Sequence, residues 1–197
     1  MIREIGGEIQ NECESILAQA ELDLDPKRVA HAVKAYLALG FSRTVDRLTR
    51  LCRWDSSRET VKGALSSDKK IPMVWDYVEC NPLSHSSGSW DNQMYWVKYF
   101  IETNEWEAAV PAHVAQGTAT DLPFESDSFD AIITDPPYYD NYPYADLADY
   151  FYVWLKRLLA DDFPDLFSTP LSPKQEEAVM LTSRHESLEE ADSFFEN

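Results

Sequence analysis

Residues 129–144 read FDAIITDPPYYDNYPY. A short apolar run passes directly into an acid, two prolines and four tyrosines within seven positions. An apolar run with no polar face predicts a strand, FDAIIT, covered by helices on both sides. Downstream, Leu147, Phe151, Trp154, Leu155 and Leu158 fall at helical spacing and predict a helix over 145–160. Upstream, GTATDLPFESDS (117–128) reads as a polar loop and HVAQ (113–116) as a further short strand. The order strand, loop, strand, helix predicts an α/β layer fold for 111–160.

The residues before this segment are helical in period. Asp25 is placed to cap and Pro26 to open a helix over 25–39. After Gly40, the run 41–54 keeps helical spacing, with Val45, Leu48 and Cys52 on one side. Residues 71–88 hold two prolines and a serine cluster and read as irregular. Ser89 then opens a helix with Met94, Val97 and Ile101 inward. The expected organisation is a helical region (1–110), an α/β segment (111–160) and an acidic, largely solvated tail (161–197) with one short helix near 187–195.

Composition bounds the partners. The 197 residues carry a net charge of −18 with an ordinary 44% apolar content. Such a chain repels nucleic acid except where basic groups gather. Residues 43–70 are the exception, with eight basic side chains against four acidic ones. There Arg43, Arg47, Arg50 and Arg53 share one face of the expected helix. They read either as a phosphate-contacting stripe or as a solvated face paired to nearby acids. Three scattered cysteines and four scattered histidines offer neither a disulfide framework nor metal-ligand spacing, so no metal is expected, and the cysteine usage fits a reducing cytoplasm. No apolar run of about 18 residues is present, so no membrane span is expected.

The polar residues at the end of FDAIIT have a chemical use. In open α/β sheets ligands sit beyond the carboxyl ends of the strands. Asp135 offers a carboxylate acceptor there. Pro136 has no N–H and presents a carbonyl acceptor, and Pro137 stiffens the backbone behind it. Tyr138 offers a flat face. Two aimed acceptors beside an aromatic plate can hold the exocyclic amine of a planar base.

Asp135-Pro136-Pro137-Tyr138 resembles the D-P-P-Y motif of amino methyltransferases, which methylate adenine N6 or cytosine N4 in DNA. The longer run TDPPYYDNYPYADLADYFYVWLKR, with RLCRW, IPMVWDYVECNP and GTATDLPFESDSFDAIIT in the same order, resembles the large adenine-specific DNA methylases of archaea and bacteria. The resemblance spans roughly residues 30–197. It implies a partial Rossmann-like, class I methyltransferase fold preceded by a helical region, with S-adenosyl-L-methionine as cofactor and DNA as partner. It places the target amine at Asp135 and Pro136, beside Pro137, and stacks a flipped-out base on Tyr138. Tyr139 and Asn141, with Arg43, Arg47 and Arg50, are expected substrate contacts, with adenine favoured over cytosine. Tyr142 and Tyr144 are candidates of the same kind, although loop aromatics such as Tyr139, Tyr142 and Tyr144 more often pack onto their own domain.

The sequence departs from that family in one respect. Its members hold the cofactor on a glycine-rich F-x-G-x-G loop, and this chain contains no G-x-G. A G-D-A pattern expected near the cofactor's adenine reads Gly117-Thr118-Ala119, which leaves Thr118 and Asp121 as substitutes, although Asp121 before Leu-Pro is equally a turn former. The chain is therefore expected to be an interior segment, completed by an upstream methylase segment or a partner chain. Two alternatives stand beside this reading. One is an RNA-directed guanine methyltransferase, and the other a non-catalytic acidic protein that mimics nucleic acid.

Overall fold

The helix opened by Asp25 and Pro26 organises the molecule. In the computed structural model, which describes residues 5–65, 73–104, 110, 112–118, 121–140, 142–175 and 177–196, the Asp25 carboxylate accepts from Lys27 N at 3.0 Å and starts helix α2, Pro26–Val45. The other elements are α1 (Ile5–Gln19), strands β1 (Arg53–Asp55) and β2 (Thr60–Lys62), α3 (Trp90–Asn104), α4 (Tyr144–Leu159), a 3₁₀ turn (Thr182–Arg184) and α5 (Leu188–Glu196). Helices α1, α3 and α4 all pack on α2.

The apolar stripe on α4 does what its spacing implies. Leu158 and Leu159 are buried against Ala38 of α2, and Phe41, Leu155, Phe163 and Phe167 pack around them. Trp154 meets Phe41 edge-on at 5.7 Å. Burying side chains of this size contributes roughly 1.5–3 kcal/mol each. Polar contacts fix the alignment at both ends. Tyr150 donates to Val45 O at 2.9 Å, and Lys34 pairs with Asp162. The core therefore crosses the boundaries drawn at 110 and 160: α2, α4 and the start of the tail share it.

Three expectations change. Gly40 does not end the helix. A Cβ there would lie 2.0 Å from Met94 Sδ, so the glycine lets α3 approach α2 closely within one continuous helix. The helix expected over 41–54 stops at Val45 instead. Beyond it, Asp55 accepts from Ser57 N and Oγ, and this local turn closes the β1–β2 hairpin, in which Trp54 faces Val61. On α3, the inward residues are Gln93 and Met94. Gln93 is 2% exposed and donates to Ser87 O at 2.8 Å, whereas Ile101 lies at the surface beside exposed Tyr95, Trp96, Tyr99 and Phe100. Helix α1 was not expected at all; its buried Cys13 and Leu17, four apart, are the spacing that marks it.

The largest difference concerns the sheet. Among the described residues the only sheet is the antiparallel hairpin β1–β2, in place of a Rossmann-like parallel sheet. The residues expected as strands, 113–116 and 129–134, have no regular structure. Ile132 is 74% and Ile133 96% exposed. A strand forms only where a neighbour takes its backbone bonds, and the described chain offers FDAIIT none. Much of the tail is exposed, as expected, but it is not free of the core. Val179 and Ala191 are almost wholly buried, and helix α5 forms at the expected place. No helix among the described residues is long and apolar enough to cross a membrane.

Candidate functional site

Asp135, Pro136, Pro137 and Tyr138 line one side of an open concavity of about 560 Å³, and Tyr142 and Tyr144 line the other. The three tyrosine rings follow one another, with centroids 6.2 Å apart between Tyr138 and Tyr142 and 5.8 Å between Tyr142 and Tyr144, all tilted. Asp135 is solvent-facing and, among the described residues, makes no hydrogen bond or ion pair, so its carboxylate is available to an outside donor. Helix α4 begins at Tyr144, directly after Pro143, which ties the aromatic wall to the core helix.

Tyr139 is turned the other way. Its φ of 49° is left-handed, uncommon outside glycine. The hydroxyl donates to Asp192 Oδ1 at 2.5 Å, the ring meets Phe195 edge-on at 5.0 Å, and the carbonyl accepts from Met180 N at 3.2 Å. The hydrogen bond to Asp192 also raises the phenol's pKa above its ordinary value. Tyr139 is thus a contact to α5, not a wall of the concavity. Asn141 lies outside the described residues.

The loop is gripped from behind by residues the sequence reading placed in a solvated tail. Glu177 Oε1 accepts from Ala145 N at 2.8 Å in the first turn of α4. Arg184 bridges Glu177 Oε2 at 2.7 Å and Asp146 Oδ2 at 2.8 Å. Burial works against the Arg184 charge, but the bonds to Asp146 and Glu177 outweigh it and raise its pKa further. Ser172 Oγ donates to Ala145 O at 2.6 Å, and Lys174 pairs with Asp149 at 2.6 Å. The signal for this docking was in the sequence: Lys174 and Arg184 are the only Lys or Arg in an acidic stretch and flank the apolar run AVML.

The arginines expected to act together are dispersed. Arg43 sits at the edge of a separate cleft between α2 and α3, lined by Tyr36, Trp96 and Phe100. Arg47 donates to Val61 O at 2.7 Å and Arg50 lies over the Tyr77 ring at 5.6 Å. Arg53 belongs to β1. Once α2 ends at Val45, helical spacing no longer aligns them.

The residues carried over for the cofactor do not fit S-adenosylmethionine. Thr118 and Asp121 face each other across a single β-bridge in an exposed turn, with Pro123 Cδ the nearest atom to a Cβ built on Gly117 at 3.7 Å. They do not join the concavity at Asp135. Ala119 and Thr120, between them, lie outside the described residues. Among the described residues no group of three or more His, Cys, Asp or Glu converges to hold a metal. Compared with protein-family models, curated proteins and solved structures, the chain matches none.

Proposed function

We propose that this chain carries the target-base site of a DNA amino methyltransferase, adenine N6 favoured, and depends on another segment or chain for the cofactor. The observation that carries this reading is the concavity formed by Asp135, Pro136, Pro137 and Tyr138, with an unpartnered carboxylate beside a series of tyrosine faces. A planar base stacks on such a ring while its exocyclic amine donates to Asp135 and to the Pro136 carbonyl. Dependence on a second component is supported by the lack of any G-x-G in the sequence and by the exposure of Ile132 and Ile133 at the strand-like run leading into the site. An open, half-solvated concavity suits a base already out of its stack.

One observation favours a second reading, a non-catalytic acidic mimic of nucleic acid. The net charge is −18, and of the arginines that would have grasped phosphates Arg47 is bonded to Val61 O and Arg50 lies over the Tyr77 ring, while Arg43 is exposed. The two readings differ in what they demand of the amine. Titration of the chain with adenosine and with purine riboside, which lacks the exocyclic amine, separates them when followed by NMR on the Tyr138 ring. The methyltransferase reading expects adenosine to bind about tenfold more tightly, the worth of one charge-assisted hydrogen bond. It also expects Asp135→Ala to abolish the difference. Equal binding of both nucleosides would overturn it.

A further inference from the structure

We infer that Glu177, Arg184 and Asp192, all C-terminal to α4, are positioning residues that aim Asp135 and Tyr138 at the base. The inference rests on the proposed target-base site and adds what sets its geometry.

Residues 135–144 cannot hold their shape alone. Where described, residues 135–143 form no helix or strand, are exposed except for a half-buried Pro143, and contain a tyrosine at φ 49°. Such a backbone persists only where its surroundings over-determine it. The over-determination comes from the tail at two points. At Tyr139, one residue beyond Tyr138, Met180 N holds the carbonyl, Asp192 holds the hydroxyl and Phe195 packs on the ring. At the start of α4, just past the Tyr144 wall, Glu177 caps Ala145 N, and Arg184 ties that same Glu177 to Asp146. The two anchors bracket the interval between Tyr138 and Tyr144, the two ends of the aromatic wall. They are also coupled to each other, because Met180 and Glu177 lie on one short stretch and Arg184 closes the turn behind it. The side facing the concavity carries none of these contacts, so Asp135 and Tyr138 stay free to meet a ligand. Sites on loops are accurate only when a supporting shell locks them, and this shell does so without touching the base.

The test uses the full chain, with adenosine and purine riboside as probes. Variants Tyr139→Phe, which loses only the hydroxyl, and Glu177→Ala are compared with Asp192→Asn, which keeps an oxygen acceptor for Tyr139. Amide exchange at Ala145 and Met180 reports whether each anchor has loosened. The expected result is faster exchange in Tyr139→Phe and Glu177→Ala, with the preference for adenosine falling from about tenfold to near unity, and retention of that preference in Asp192→Asn. Faster exchange with the preference intact would overturn the inference while leaving the target-base site standing. A wild-type chain with no preference for adenosine would overturn the proposed function, and the inference with it. A loss of affinity equal for both nucleosides, with the ratio unchanged, would also overturn it, because aim at the amine would then not depend on the anchors.

Discussion

Asp135 and Tyr139 lie four residues apart and do opposite work. Among the described residues Asp135 has no partner, so its carboxylate contributes little to stability and is free for chemistry. Tyr139 is bound into α5 through Asp192 and Phe195. A raised phenol pKa means that the folded state favours the protonated ring. The stabilisation is therefore complete below the ordinary value of 10.0 and is lost as pH rises through the folded value. Alkaline titration followed by tyrosine absorbance should show two residues ionising later than free tyrosine: Tyr150, whose burial raises its phenol, and Tyr139, with α5 detaching as it ionises. Tyr139→Phe should remove one late step and leave the other. Arg47 makes a second residue-scale case. Its guanidinium donates to the Val61 carbonyl, so Arg47→Ala should lower stability by about 1.5–3 kcal/mol in chemical denaturation. A variant as stable as wild type would return Arg47 to the phosphate-contacting role that its spacing in sequence suggested.

At the scale of elements, legibility followed locality. The start of α2 was readable because Asp25 and Pro26 act on the next turn, and α4 because its stripe fills one face against Ala38 and Phe41. Helix α3 was placed correctly by Ser89 and Met94 was read correctly as inward, but Ile101 lies at the surface and the burial of Gln93, which donates to Ser87 O, was not read. Gly40 misled because its use is tertiary: it makes room for Met94. The run 41–54 kept helical spacing, yet Asp55 and Ser57 made a turn worth more than the remaining helical bonds. In the tail, acid content suggested solvation, while the contacts of Glu177 to Ala145 and of Asp192 to Tyr139 span 32 and 53 residues, which no local pattern reveals. Of the candidate site, the Asp135–Tyr138 wall was legible from its residue types. The grip on its rear was not, because it is built from long-range bonds.

The whole molecule exposes 15122 Å², against about 9,500 Å² for a compact monomer of its mass. Ile132, Ile133, Val114, Trp75 and Leu83 are among the apolar residues left in water. Surface of this kind marks a place for a partner. On the proposed reading another component holds the cofactor, so calorimetric titration of this chain with S-adenosylmethionine should show binding no tighter than millimolar, which corresponds to about 4 kcal/mol. Micromolar binding to the monomer would mean that the turn at 117–123 does the work of the absent glycines. The most direct test of the central claim is methyl transfer to adenine in DNA by the chain co-expressed with a segment bearing the F-x-G-x-G loop, compared between wild type and Asp135→Ala. The expected result is N6-methyladenine from the wild type, and a loss of at least about a hundredfold in the variant, from a transition-state contact worth ~3 kcal/mol, with folding unchanged. Near-normal turnover by Asp135→Ala would contradict it.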